Sequence, residues 1–250
     1  MSPTFFDSIP AYLAACAIVV AAQVVYVLFG FGSGLVLVGL LALVVPDLRD
    51  VVVLVLLVNV PAELFVVVRS RRWIRWNGVA AIGLGVAVGI PLGTWILRVG
   101  DLTLLLGSLG VALLLIAVAF LRLDDGFRVE PPWWTAPPTG LLSGVLTGLF
   151  GTGGPPLIVY YRLSGLTKAG FRGNLMAIFL LMTCVRVPAY LVGGLLTWPR
   201  VSAGLAVLPA VAVGAFVGHR IHVDIPERTF RRWIALGLFA IGILLLARTI

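Results

Sequence analysis

Charge is scarce in this chain. Of its 250 residues 11% are Asp, Glu, Lys or Arg and 61% are hydrophobic, whereas soluble proteins carry roughly 25% charged residues. So few polar groups could not cover a soluble globule, and that class is excluded. Cysteine and histidine are equally sparse, at two each. Cys16 and Cys184 lie inside apolar runs, where they read as small packing residues and give no basis for a disulfide framework. His219 and His222 flank Arg220 with no carboxylate or cysteine at ligand spacing, so no metal site is expected. Ser/His/Asp sets, paired catalytic carboxylates, His-Glu-x-x-His and phosphate-loop patterns are missing too, which argues against an enzyme. No cofactor is expected. The net charge of +8 falls in short clusters between apolar runs; that is loop charge, not a nucleic-acid stripe.

What the chain has in quantity is long apolar runs, at about 9–46, 51–68, 78–97, 102–121, 137–161, 173–197, 201–219 and 230–248. A helix needs about 20 apolar residues to cross a bilayer of about 30 Å, so the expectation is an all-α polytopic membrane protein. Asp7, with no Lys or Arg before the first run, is unlike the start of a cleaved signal peptide, and that run is expected to be kept. The first and fifth runs are too long for one crossing. Each contains a glycine cluster, Gly30-Phe31-Gly32-Ser33-Gly34 in one and Gly151-Thr152-Gly153-Gly154-Pro155-Pro156 in the other. Glycine permits non-helical backbone and proline stops a helix, so each run should break in two.

The breaks are related. Phe29-Gly30-x-Gly32 recurs as Phe150-Gly151-x-Gly153, Asn59-Val60-Pro61-Ala62 as Arg186-Val187-Pro188-Ala189, and Val86-Ala87-Val88-Gly89 with Gly93 as Val211-Ala212-Val213-Gly214 with Gly218. Three matches in the same order argue for an internal duplication. The expected organisation is a first transmembrane repeat over 1–122, a cytoplasmic linker over 123–134 and a second repeat over 135–250.

Charge suggests how the halves insert. With eight simple crossings, the Lys and Arg residues outside the apolar runs divide almost evenly between the two faces. If runs one and five are instead hairpins that turn back at the glycine break, one face holds Arg69, Arg71, Arg72, Arg75, Arg122, Arg128, Arg162, Lys168, Arg172, Arg220, Arg228, Arg231 and Arg232. The other face holds only Arg49, Arg98, Arg200 and Arg248. That is a positive-inside pattern with three full crossings per half, an odd number. The fold expected is therefore two inverted-topology repeats, each a glycine-broken helical hairpin followed by three transmembrane helices, with both termini periplasmic. Trp73, Trp76, Trp133, Trp134, Trp198 and Trp233 lie near run ends and read as interface anchors.

Broken backbone is tolerated in a membrane only where protein or a watery cavity receives it, so the breaks point to a central site. Each half-helix that follows a break begins with free N–H groups and a partial positive charge, an anion-binding arrangement. The expected donors are Gly32, Ser33 and Gly34 in the first half and Thr152, Gly153 and Gly154 in the second. Gly153 is expected to let the backbone approach the ligand with positive φ. Gly89, Gly93, Gly214 and Gly218 read as packing glycines. Arg186 is a charge deep inside an apolar run and must face something anionic. Either it contacts substrate, with its counterpart Asn59 as a second donor, or it forms an ion pair with Glu63. Glu63 lies within two turns of Arg69, and an interfacial pair with that cluster is preferred over a proton relay.

The glycine-broken duplication, with Leu149-Phe150-Gly151-Thr152-Gly153-Gly154-Pro155-Pro156-Leu157 followed by Lys168 and Phe171-Arg172, resembles the sulfite exporter TauE/SafE family, also called the toluene-sulfonate uptake permeases. The resemblance implies a secondary transporter of the bacterial inner membrane that moves sulfite, an organosulfonate or another sulfur oxyanion by alternating access. The family's basic position after its second glycine motif maps onto Arg172. Phe31 and Ser33 stand where the family often has smaller residues, and Asn174 where a small hydroxyl residue is frequent. The partners implied are a small anion and the lipid bilayer, with a proton or sodium ion as coupling ion left open. The alternatives are a carrier of another small organic anion and a non-transporting assembly factor.

Overall fold

The computed structural model describes residues 4–6, 8–29, 32–70, 73–122, 131–221 and 227–249. These form ten α-helices and no strand: α1 Ile9–Phe29, α2 Ser33–Val44, α3 Leu48–Ser70, α4 Trp76–Val99, α5 Leu102–Arg122, α6 Ala136–Phe150, α7 Gly154–Leu163, α8 Lys168–Val192, α9 Trp198–Arg220 and α10 Glu227–Thr249. Both overlong runs are broken as expected: α1 and α2 take the first, α6 and α7 the second. Gly30, Phe31, the linker residues 123–130, Arg71, Arg72 and His222 lie outside the described residues. Among those described, six helices are long and apolar enough to cross a membrane, namely α1, α4, α5, α8, α9 and α10.

The helices fall into two compact units that each draw on both halves of the sequence. One comprises Met1–Val58, Gly100–Leu123 and Thr197–Ile250; the other comprises Asn59–Val99 and Asp124–Leu196. In the second unit α4 runs along α6. A Cβ added at Gly85, Gly89 or Gly93 would strike the α6 backbone at Pro137, Leu141 or Val145, and one at Gly140, Gly144 or Gly148 would strike α4 between Ile82 and Thr94. Two glycine ridges four residues apart let the backbones touch, which in lipid supplies the packing that hydrophobicity cannot.

The first unit repeats this arrangement. Gly214 and Gly218 of α9 face Val20, Gln23, Val24 and Val27 of α1, and the Tyr12 hydroxyl donates to the Ala206 carbonyl at 2.9 Å. Thus Gly89, Gly93, Gly214 and Gly218 are packing positions. The inward faces match as well. Ala15, Val19, Ala22, Gln23 and Tyr26 of α1 are buried, and so are Ala136, Gly140, Ser143, Gly144 and Thr147, each 121 positions later. Val79, Ile82, Gly85, Val86, Gly89 and Gly93 of α4 correspond in the same way to Gly204, Val207, Ala210, Val211, Gly214 and Gly218 of α9, 125 positions on. Within the first unit α5 and α10 cross antiparallel through a reciprocal contact: Gly110 meets Gly242 and Leu246, and Gly242 meets Gly110 and Leu114.

Polar links gather at the helix ends. In the first unit Arg200 holds Asp50 at 2.6 Å and Asp47 at 3.4 Å, Arg49 donates to the Gly100 carbonyl, and Arg248 donates to the Leu43 carbonyl. Arg49, Arg200 and Arg248 therefore share one end, and Arg98 immediately precedes Val99-Gly100. At an end of the second unit the buried Asn174 accepts from the Arg75 amide at 2.8 Å and donates to the Trp73 carbonyl at 3.2 Å, tying α8 to the start of α4. Trp73, Trp76, Trp133, Trp134 and Trp198 are exposed at or next to helix termini, and Trp233 is exposed in the second turn of α10.

Candidate functional site

The second break is a built turn. Gly151 takes φ 75, a left-handed conformation that glycine adopts without strain, and its amide returns to the Thr147 carbonyl at 2.8 Å to close α6. The Thr152 amide returns to Leu146 at 3.5 Å. This corrects the sequence reading, in which Thr152 offered its amide to a ligand; that amide is already used to close the helix. Gly153 is also not the flexible position expected. Its φ is −79, and a Cβ there would strike the Thr147 hydroxyl and the Ser143 carbonyl. Gly153 is glycine so that the chain can fold back against α6, and the positive φ belongs to Gly151. Pro155 and Pro156 then fill the first turn of α7 and contribute no donors. The amides of Gly153 and Gly154 have no hydrogen-bond partner among the described residues.

The fold-back sets the depth of this helix start. Gly153 lies against Ser143 and Thr147, and Gly144 between them packs on Val86, Gly89 and Ile90, near the middle of the 24-residue α4. The N-terminus of α7 is therefore level with the centre of a membrane-length helix, where a partial positive charge is least screened.

One stripe of α8, spaced at helical intervals, meets α7, α6 and α3 in turn: Phe179, Met182, Thr183, Arg186 and Tyr190. The Phe179 ring covers Gly154, and Met182 sulfur lies 3.3 Å from the Thr147 hydroxyl. Arg186 is 4% exposed. Its guanidinium stacks 4.7 Å above the Tyr190 ring, a cation–π contact strengthened by desolvation. Tyr190 in turn donates to the Gly148 carbonyl in the last turn of α6 at 3.0 Å, so the cation's platform is anchored to the break itself.

Glu63, on the part of α3 in this unit, is buried and accepts a 2.7 Å hydrogen bond from Thr183, one turn before Arg186. Arg186 follows Thr183 by three residues on the same face of α8. Glu63 thus faces α8, while the side chains of Arg69, Arg71 and Arg72, the cluster with which the sequence reading paired it, lie outside the described residues. Asn59 is half-buried one turn earlier on the same α3 face. The unit thus gathers Asn59, Gly153, Gly154 and Arg186 with Glu63, Thr183 and Tyr190. The hydroxyls of Thr94, Ser143 and Tyr161, all buried in this unit, carry no partner among the described residues.

Gly32, Ser33 and Gly34 lie in the other unit. Gly32 caps α2 with φ 93, and only Val25 comes near where its Cβ would be, at 3.9 Å. Ser33 is buried. Arg172 is exposed on the first turns of α8, while Asn174 beside it is committed to the inter-helix ties described above.

Sequence reasoning missed Thr183 and Tyr190, although their positions three before and four after Arg186 put them on its face. It also missed the Gly140, Gly144 and Gly148 ridge, whose four-residue spacing was there to be read.

The profile of the sulfite exporter TauE/SafE family matches residues 15–245. Two relatives are 28% identical. The "probable inner membrane transporter protein TsaS" of Comamonas testosteroni aligns over 194 residues, 76% of this chain and 80% of its own. The "probable sulfite/organosulfonate exporter TauE" of Cupriavidus necator aligns over 228 residues, 86% and 84%. No solved structure matches. A helical, multi-pass architecture with two glycine-broken helices and a buried arginine beside one of them is thus joined to a profile match over nearly the whole length, and the chain belongs to the sulfite exporter TauE/SafE family of membrane transporters.

Proposed function

We propose that the protein is a secondary carrier of a small sulfur-containing anion, sulfite or an organosulfonate, working by alternating access in the bacterial inner membrane. The observation that carries this reading is Arg186. A charge buried in the membrane interior costs at least about 2.5–3.5 kcal/mol, and this one is held on a tyrosine platform anchored to the last turn of α6 before the break. An oxyanion placed there would meet a planar guanidinium, the Asn59 amide and the Gly153 and Gly154 amides. By the repeat, the turn at Gly32, Ser33 and Gly34 is proposed to offer donors to the same class of anion. Neither relative's printed name fixes the direction of transport here.

The halves 1–122 and 135–250 are proposed to be inverted repeats. Support comes from the matched buried faces of α1 with α6 and of α4 with α9. Further support comes from the reciprocal antiparallel crossing of α5 and α10, the contact that two equivalent helices make about a twofold axis perpendicular to both. Arg49, Arg200 and Arg248 share one end, in keeping with their grouping on a single sparsely charged face; that this face is periplasmic, with Trp73 to Arg75 cytoplasmic and both termini periplasmic, is proposed from the excess of basic residues that the sequence assigns to the opposite face. A cysteine placed at residue 73 should be blocked by impermeant thiol reagents only in inverted vesicles; labelling in intact cells overturns the orientation.

The test of function is uptake by purified protein in liposomes, with sulfite, sulfate, sulfoacetate, thiosulfate, toluenesulfonate and lactate as candidate substrates. Transport of at least one sulfur anion in preference to lactate is expected. Preference for lactate makes the protein a carrier of another organic anion, and binding of none removes the reading.

A further inference from the structure

Glu63 is the one carboxylate that the described structure buries in the interior of a membrane-length helix, and the anion-binding arrangement does not use it. A buried negative charge beside the place where a negative substrate should bind is an obstacle unless it can be removed. We propose that Glu63 is the proton-coupling group of the carrier, neutralised when the anion binds at Arg186 and ionised when the anion leaves; this rests on the anion site proposed above.

Charge counting carries the argument. With Glu63 ionised, the Glu63–Arg186 neighbourhood is neutral. A monoanion arriving at the buried Arg186 would leave a net charge of minus one there, and uncompensated buried charge is what low-dielectric surroundings penalise most. One proton taken up by the Glu63 carboxylate restores neutrality. It is returned to water when the anion departs, and no bond to the anion forms or breaks. Thr183 suits both states, because its hydroxyl donates to the ionised carboxylate, as observed at 2.7 Å, and can rotate to accept from the protonated one.

The groups around Glu63 leave it as the acid that can respond. Facing it from α8 are Arg186 and, beyond Arg186, the Tyr190 hydroxyl committed to Gly148. α6 carries no charged side chain, α4 only Arg98 in its last turn, and the Tyr160, Tyr161 and Arg162 cluster of α7 lies in that helix's final turns. On α3 the nearest polar side chain in the described structure is Asn59, which does not titrate.

The test uses full-length protein in detergent, with toluenesulfonate and methanesulfonate as probes because both are monoanions whose charges do not change near neutral pH. Binding should take up one proton per anion from a weakly buffered solution, and affinity should fall by up to tenfold per pH unit as pH rises through the titration of the site. In Glu63→Gln, a neutral mimic of the protonated acid, binding should persist, proton uptake should vanish and the pH slope should flatten. Wild-type binding without proton uptake overturns this proposal and leaves the anion site standing. So does an unchanged pH slope in folded Glu63→Gln. Wild-type protein that binds neither probe overturns both readings.

Discussion

The two glycine breaks share a residue pattern and differ in what surrounds them. After Gly151 the chain is driven back on α6 so closely that Gly153 has no room for a Cβ, and α8 brings an arginine and a phenylalanine to the turn. At Gly32 the left-handed φ is present, yet among the described residues only Val25 comes within 4 Å of where a Cβ would stand, and the buried polar side chain on the neighbouring α1 is the neutral Gln23. On the proposed duplication, the halves keep what packing demands, the small and apolar residues of the buried faces, because each must solve the same contact problem. Charge is under no such demand. Burying one cation costs several kcal/mol and burying two would double that, so the copies can diverge to an arginine in one and an asparagine in the other.

The largest expected effect tests that asymmetry directly. Arg186→Ala should lower affinity for the transported anion by on the order of 100-fold, the consequence of losing a buried charge contact worth about 2–5 kcal/mol. Arg186→Lys should also be impaired, since it keeps the charge without the planar fork. Asn59→Ala, which removes a neutral donor worth about 0.5–1.5 kcal/mol, should cost about tenfold or less. Equal losses at Arg186 and Asn59 in folded protein would mean that the two halves contribute alike, and wild-type transport in Arg186→Ala would make that arginine structural.

Next come the glycines themselves. Gly153→Ala should lower thermal stability by about 1–3 kcal/mol through overpacking against Ser143 and Thr147. Gly32→Ala should cost about 1–2 kcal/mol, from the left-handed backbone alone. Gly154→Ala, whose Cβ would meet only the Phe179 ring edge at 3.3 Å and Ile158 at 3.9 Å, should fold and report on anion affinity instead. Melting curves of the three purified variants check the order, and a Gly32→Ala protein less stable than Gly153→Ala reverses the contrast between the breaks.

The smallest effect is expected at Gln23. Its Nε2 is buried without a partner among the described residues, so Gln23→Leu, similar in size, should change stability and transport little. Lost transport in a stable Gln23→Leu protein would reveal a polar substrate contact in the first unit and remove the asymmetry.

How much of this was legible in the sequence depended on the range of the interaction. The broken helices could be read because Gly and Pro act on their own backbone, and Arg186 because one charge in an apolar run is conspicuous anywhere. The contact of Glu63 with α8 could not be read, because its hydrogen-bond partner Thr183 is 120 residues distant. Gly153 was misjudged for a related reason. A glycine that admits a ligand and one that admits a neighbouring helix are written with the same letter, and only the location of Ser143 and Thr147 separates them. The interleaving of the halves into two units was likewise invisible, since no local pattern says which ridge Gly85, Gly89 and Gly93 will meet.

The α5–α10 crossing has a consequence for ancestry. Gly110 meets Leu246 and Gly242 meets Leu114, each leucine lying four residues beyond the other glycine. Two copies of a single helix lying head to tail would make that same contact with themselves. A chain half this length could therefore have formed this seam as a homodimer, provided its copies entered the membrane in opposite directions. Fusion into one polypeptide would then have fixed by covalent linkage an orientation that had been left to chance, and freed each copy to keep only the polar residues it needed.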